Sequence, residues 1–493
     1  MRINWNEPQF DEEDLENVSE VLKTAYVNEG PKTKELEEKF KKYLEVKHVI
    51  FTTNATAALF LAIKSDALIR GVKDFEVIVP DMTMFATATA VEWAGGRPIL
   101  VDVEKDRMTI NIEEIERKIT PKTTAIIPVH ILGRAADMDK LWNLAQRYNL
   151  TIIEDAAGAL GSKYKGKYLG TIGKVGCFSL QSNKIITSGQ GGVIVTNDDK
   201  YNEIIQRLRD FGRFNKEFLH KIVGYNLKFN DLSASLVLGQ FNKLEERKKL
   251  LIQQRNQYEQ ELLSVRKIKF PEFREGEIPL WIDMITEERD KLFDYLKSLE
   301  IYSRKCWPSL HKNPPYQNQG TDEDYQISTF ISNNCLWLPN GQAITPEQIN
   351  LICNKVKEFY SVNLANDPHL EKIHKDERGG IYSIQNLLED NKEFAFLEVK
   401  KGYARGGCFH SKDENLAVVK GKIKLILGHE EKIISQGESM LIPANVPHAF
   451  IGIEDSIVAE WGITTKEKQS DVKNLKLREF VDEINRVIQD SEE

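Results

Sequence analysis

The chain has 493 residues, 41% of them hydrophobic, with 67 Lys and Arg against 75 Asp and Glu for a net charge of −8. That length predicts two or three domains, and the acidic balance without a basic block excludes a general nucleic-acid binder. No apolar run is long enough to span a membrane, MRINWNEPQFDEEDLE carries no apolar leader segment, and the five cysteines are scattered without a CxxC pair, so the expectation is a soluble protein of the reducing cytoplasm.

Residues 11–25 and 33–44 read as helices separated by NEGP. HVIFTTNATAALFLAI follows: an apolar strand, a polar turn at 53–56 and an alanine-rich helix. A helix start with small residues and a hydroxyl is an anion site, because free N–H groups and the helix dipole both favour phosphate. Taken alone, Thr56 is more simply an ordinary cap-region threonine. VIVPDMTMFATATA, RPILVDVE and TTAIIPVHILGRAADMDKLWNLAQRYNL continue the alternation of strands and helices. That pattern predicts a mostly parallel sheet between helices, with ligands at the carboxyl ends of its strands.

Residues 151–196 carry the chemistry. A short apolar run, Thr151 to Ile153, ends in Glu154 and Asp155; a glycine-rich loop leads to a second run closing on Phe178 and Ser179. Lys184 lies five positions further on, before Gly189, Gly191, Gly192 and a β-branched run to Thr196. An acid at one strand end and a lysine just past another meet the needs of a pyridoxal phosphate (PLP) site. The amine holds the cofactor as a Schiff base, and the carboxylate keeps the pyridine nitrogen protonated. Spacing alone leaves open a solvated loop with a surface lysine.

EDAAGALG followed by GCFSLQSNKIITSGQGG resembles the DegT/DnrJ/EryC1/StrS family of PLP-dependent nucleotide-sugar aminotransferases, and the resemblance runs from the N-terminus to about residue 360. It implies the fold of type I aminotransferases, a mostly parallel α/β sheet with a small C-terminal subdomain. It makes Ala55 and Thr56 the phosphate-loop positions, alanine standing where relatives have glycine. Where the family places an aromatic ring on the cofactor, this chain has Met84, with Phe85 one place late, and either is a candidate for the contact. Gly158 stands where relatives carry a longer side chain near the cofactor. VGYNLKFNDLSASL matches the segment whose cation reaches the neighbouring subunit's cofactor phosphate, here Lys228, which implies a homodimer with shared active sites. Residues 245–262 read as a solvated connector helix. Past it, Arg304 and His311 fall at substrate-facing positions of the family, though a structural arginine and histidine fit the sequence equally well.

After VNLANDPHL the style changes to short β-runs, FAFLEVKKG, ENLAVVKGKIKLILG, ESMLIPANVPHAFIGI and SIVAEW, closed by an amphipathic helix. RGGCFHSKDENLAVVKGKIK with GESMLIPANVPHAF resembles a cupin of the sugar isomerase and epimerase type. The resemblance places Cys408, His410, Glu414 and His448 at the metal-ligand positions, with Cys408 in place of the usual first histidine. Thiolate is a competent ligand for soft or borderline metals, so a divalent metal is one reading of this set; acid–base chemistry without metal, or a sugar-binding module, are the others. The expected organisation is an aminotransferase domain over 1–362 (large part to about 245), a linker at 363–370, an all-β cupin-like barrel over 371–470 and a helix over 471–493.

The expected reaction is amination of a keto nucleotide-sugar, 4-keto-6-deoxy in type, with L-glutamate as donor. Lys184 and Asp155 are the catalytic pair, and Ala55, Thr56, Ser179 and Lys228 hold the phosphate. Three rivals remain: a sugar dehydratase, which in relatives has histidine at the position of Lys184; a non-catalytic sugar sensor; and a bifunctional enzyme whose cupin first isomerises the ketone.

Overall fold

The computed structural model describes residues 2–213, 219–360, 371–384, 394–462 and 475–492. The chain divides into two compact units, Met1–Tyr360 and Ser361–Glu493; the linker expected at 363–370 lies outside the described residues.

The first unit is built on seven strands: β1 (His48–Thr52), β2 (Glu76–Pro80), β3 (Arg97–Val101), β4 (Thr123–Ile126) and β5 (Thr151–Asp155), then β8 (Val175–Ser179) and β9 (Gly192–Thr196) after a two-residue-strand hairpin, β6 (Lys163–Tyr164) and β7 (Lys167–Tyr168). Their order is β1-β9-β8-β5-β4-β2-β3, and β9 alone runs antiparallel to its neighbours. β2, β5, β8 and β9 are buried at every position, as a sheet covered on both faces requires. Their sequences, EVIVP, TIIED, VGCFS and GVIVT, therefore show continuous apolar runs with polar groups only at their ends. Because β1, β2, β5 and β8 share one direction, Thr52, Pro80, Asp155 and Ser179 end at the same edge of the sheet.

A three-stranded antiparallel sheet, β10 (Ile282–Ile285), β12 (Cys335–Leu338) and β11 (Arg304–Lys305), forms the smaller part of this unit. The expected connector helix is present as Leu244–Leu262, but it is not solvated all round: Arg247, Leu251, Arg255, Tyr258 and Leu262 are buried. These residues recur at spacings of three and four, which puts them on one face of a helix whose polar composition concealed it.

In the second unit the strands Glu371–Asp376, Gly379–Ile384, Phe394–Val399, Ser456–Trp461, Glu414–Lys420 and Ser439–Ile442 form one antiparallel sheet. Ala404–Cys408, His448–Gly452, Lys422–Leu427 and Glu430–Ser435 form a second. Leu416, Val418, Ile423, Leu425, Phe450 and Val458 fill its core, and a helix, Leu475–Glu492, follows.

Candidate active site

Asp155 ends β5 and is buried. Thr87 Oγ1 donates to its Oδ2 at 2.8 Å and the Ala157 N–H donates to its Oδ1 at 3.1 Å. Burial pushes this carboxyl above the usual range, opposed by those two bonds and by the charge of Lys184. Its neighbour Glu154 serves another purpose. It accepts from the Gly170 and Ile172 N–H groups at 2.7 Å each and pairs with His130 Nε2 at 2.8 Å. The Ala136 N–H points at His130 Nδ1, which leaves the ring proton on Nε2 to be donated to Glu154. Successive residues of a strand face opposite ways, so one carboxylate reaches the cavity and the other fixes the turn leading to β8.

Lys184 lies in the irregular stretch between β8 and β9. Its side chain is half-buried because it faces a cavity, and its Nζ sits 5.1 Å from the centre of the Trp281 ring. Desolvation pulls this amine down to about 8, with Asp155 opposing the shift. The amine makes no hydrogen bond or ion pair among the described residues.

The cavity holds about 330 Å³ at the carboxyl edge of the sheet, lined among others by Ala55, Thr56, Met84, Asp155, Ser179 and Lys184. Ala55 and Thr56 open the helix Ala55–Arg70, whose cap Asn54 accepts from the Ala57 N–H at 2.8 Å. The first N–H groups of a helix have no intrahelical acceptor, so this wall presents N–H donors of the kind an anion accepts from. Gly192 makes the approach possible, because a Cβ there would meet the Asn54 carbonyl oxygen at 2.3 Å. Asn183, also on the cavity, has a buried Oδ1 without a hydrogen-bond partner.

In the second unit, Cys408, His410 and His448 bring one ligand atom each to within 4.8 Å of one another. The Glu414 carboxylate is 3.3 Å from both His410 Nε2 and His448 Nε2. A bulge at Gly406–Cys408, with Gly406 and Gly407 both at positive φ, sets Cys408 opposite His448; bulges re-aim side chains in this way.

Residues 8–357 match the DegT/DnrJ/EryC1/StrS aminotransferase family, and residues 395–464 match the cupin domain. The chain belongs to the DegT/DnrJ/EryC1/StrS aminotransferase family. It is 34% identical to a GDP-perosamine synthase of Caulobacter vibrioides over 361 residues, covering 71% of this chain and 96% of that protein. It is 30% identical to a UDP-4-amino-4-deoxy-L-arabinose–oxoglutarate aminotransferase of Shewanella sediminis, over 66% of this chain and 88% of that one. Among solved structures, S. venezuelae DesV is similar at 28% identity with a TM-score of 0.68, over 71% of this chain and 95% of that chain. A DegT/DnrJ/EryC1/StrS aminotransferase from Brucella abortus is similar at 26% identity and TM-score 0.67, over 71% of this chain and 96% of that one.

This is a PLP-dependent sugar aminotransferase family, and the cavity fits the cofactor: a buried carboxylate, an amine lacking hydrogen bonds, an orphaned amide oxygen and a helix N-terminus converge. Of the two sulfur and aromatic candidates, Met84 lines the cavity while Phe85 packs on Tyr316 at 5.4 Å. Gly158 lines it too, and a Cβ there would meet Leu132 and Leu280 at no less than 3.4 Å. The backbone therefore does not demand glycine at this position. Arg304 is on the cavity, its guanidinium 5.1 Å from the Trp5 ring.

Lys228 and His311 are elsewhere. Lys228 pairs with Asp210 at 2.5 Å. His311 is buried, holds Asp81 at 2.7 Å and Asp322 at 2.9 Å, and stacks on Tyr325, so both ring nitrogens have structural partners. Thr87, His130, Asn183, Trp281 and Trp307 join the cavity without having been singled out in the sequence. The i, i+4 threonines Thr83 and Thr87 at a helix start, and a histidine four residues past the end of the buried strand β4, were the available signals for two of them.

Proposed function

We propose that this aminotransferase moves the amino group of L-glutamate onto the ketone of a nucleotide-linked 4-keto-6-deoxy sugar, for a surface polysaccharide or other glycan. The observation that carries this reading is the meeting of Asp155, at the end of β5, and Lys184, in the stretch that follows the adjacent β8, beside a helix N-terminus in one cavity. Bound there, pyridoxal phosphate supplies an electron sink for charge that develops at the donor's α-carbon. With the group bound, Lys184, its amine depressed to about 8, would move the proton from that carbon to the cofactor's C4′, and from C4′ to the sugar carbon in the opposite half-reaction. Asp155 would hold a proton on the pyridine nitrogen, and the Ala55 and Thr56 N–H groups with Ser179 would hold the phosphate.

The donor and the sugar carbon rest on the relatives: one is named for a 4-amino sugar and oxoglutarate, the keto acid of glutamate, others for GDP-perosamine. Among the described lining residues the cations are Lys184 and Arg304, which leaves the phosphate short of positive charge. Lys228, outside its own cavity, is read as the group that serves the neighbouring subunit in a homodimer with shared sites. Arg304 is read as the contact for an anionic part of the substrate.

The clustering of Cys408, His410, Glu414 and His448 favours a second reading for the other unit. One thiolate, two imidazoles and a carboxylate make a binding set for a borderline divalent metal such as zinc. Ketone isomerisation on the nucleotide sugar, or sugar binding alone, is the use this reading assigns it.

The test of the main reading incubates the full chain and PLP with L-glutamate and a panel of GDP-, UDP- and dTDP-4-keto-6-deoxyhexoses, followed by mass spectrometry. One sugar converted to its amine, with 2-oxoglutarate formed in equal amount, is the expected result. No amine from any of them, with glutamate unconsumed, would remove the proposed substrate class.

A further inference from the structure

The lysine of a transamination site must present its amine to one carbon within a few tenths of an ångström, yet Lys184 sits in a stretch with no helix or strand of its own. Two distant side chains compensate. Trp281 Nε1 donates to the Asn183 carbonyl at 3.2 Å, and Arg247 Nη1 donates to the Ile185 carbonyl at 3.0 Å. These are the carbonyls of the two residues that flank Lys184, and both donors are buried.

Each donor is itself immobilised. Trp281 is wedged among Trp5, Trp307 and Trp337 with ring centres at 4.9, 5.8 and 4.6 Å. The residue before it is tied on both sides, the Leu280 N–H to the Leu132 carbonyl and the Leu280 carbonyl to Asn340 Nδ2. Arg247 is also bonded to Gln240 and to the Gln9 carbonyl. The Trp281 ring, moreover, is the surface against which the Lys184 amine rests.

We propose that Trp281 and Arg247 are positioning residues that clamp the main chain on both sides of Lys184 and so aim its amine into the cavity. The proposal rests on the PLP reading of the cavity and adds to it the groups that set the lysine's geometry. Misplacing a reacting group by about 1 Å costs on the order of 100-fold in rate, whereas the cofactor's phosphate and pyridine contacts lie on other elements and are left intact.

The test uses the full chain as wild type, Trp281→Phe (which keeps an aromatic face but loses the N–H), Arg247→Met and Arg247→Lys. Three quantities are read: the single-turnover bleaching of the bound-cofactor absorbance by L-glutamate, the melting temperature, and deuterium exchange of the cofactor-free protein. The expected result is a loss of about 10- to 100-fold in the saturated rate for Trp281→Phe and Arg247→Met. Half-saturating glutamate stays within about threefold, and partial recovery is seen in Arg247→Lys. Faster exchange is confined to peptides from 181–191, with melting near wild type. Rates and local exchange at the wild-type level would overturn the clamp, as would losses that accompany a general fall in melting temperature and exchange raised across the whole first unit. If the wild-type chain shows no cofactor band, the PLP reading fails, and the exchange of 181–191 still decides whether the clamp exists.

Discussion

Thr87 Oγ1, 68 residues before Asp155 in the chain, donates a 2.8 Å hydrogen bond to Asp155 Oδ2, while Thr83 Oγ1 lies 3.1 Å from Thr87 Oγ1 behind it. This bond opposes the upward push that burial gives the Asp155 carboxyl. Thr87→Val keeps the shape and removes the donor, so the carboxyl rises further and pairs less well with a protonated pyridine. A hydrogen bond to a charged group contributes about 1.5–3 kcal/mol, so PLP should bind roughly 10-fold or more weakly in a spectral titration. An unchanged dissociation constant would show that the bond has no influence on cofactor retention.

Lys184 gives a prediction in the opposite sense. Its amine, depressed to about 8 by burial, binds its proton more weakly in the folded than in the unfolded chain, where the ordinary value is about 10.4. Below pH 8 both states are protonated and the folded cofactor-free protein carries the full penalty; between 8 and about 10.4 the penalty fades. Lys184→Met should therefore stabilise the cofactor-free protein most at neutral pH, by up to about 3 kcal/mol before allowance for water in the cavity, read as a higher melting temperature. The gain should shrink as the pH approaches 10. Melting curves across that range check it, and a gain that grows with pH would contradict the assignment.

Asp283 is the anion between two buried guanidinium groups, accepting from Arg134 Nη2 at 2.6 Å and from Arg255 Nη1 at 2.8 Å. It joins β10 to the Ile131–Arg134 turn that lines the cavity. Asp283→Leu leaves the buried Arg134 without a carboxylate and Arg255 with Glu259 alone, and stranding a buried cation costs about 3–5 kcal/mol. Denaturant unfolding of the full chain should show the first unit's transition moving to lower denaturant. A transition at the wild-type midpoint would show that the pair carries no net stabilisation.

The cupin set predicts metal chemistry that depends on Cys408. Titration of the cofactor-free full chain with cobalt(II) should produce a thiolate charge-transfer band. Cys408→Ser should abolish the band and weaken binding, while leaving the glutamate half-reaction of the first unit unchanged. Cobalt binding identical in the two proteins would remove Cys408 from the ligand set.

Much of this site is written in short range. β-branched runs ending in Asp155 and Ser179, and the Asn54–Thr56 turn before an alanine-rich helix, show their chemistry because a buried strand tolerates polar groups only at its ends. The cupin residues were legible for the same reason, Cys408, His410 and Glu414 lying within seven positions. What escaped is contact between distant parts. Trp281 meets Asn183 across 98 residues and Arg247 meets Ile185 across 62, and no periodicity records such pairs. His311 shows the same limit: its partner Asp81 is 230 residues away, so nothing local signals that both of its ring nitrogens are bonded. In the helix Leu244–Leu262, Arg247, Gln254 and Arg255 lie on the buried face, which hides an amphipathic pattern that an all-apolar stripe would have shown.

Whether Lys184 and Asp155 form a working transamination site is decided by one absorbance experiment. The full chain is supplied with PLP, and its visible spectrum is recorded before and after L-glutamate, beside Lys184→Ala. The expected outcome is a visible band in the wild type that bleaches with glutamate, and a band absent or unresponsive in Lys184→Ala. A wild-type protein without such a band, or a Lys184→Ala protein that bleaches like the wild type, would contradict it.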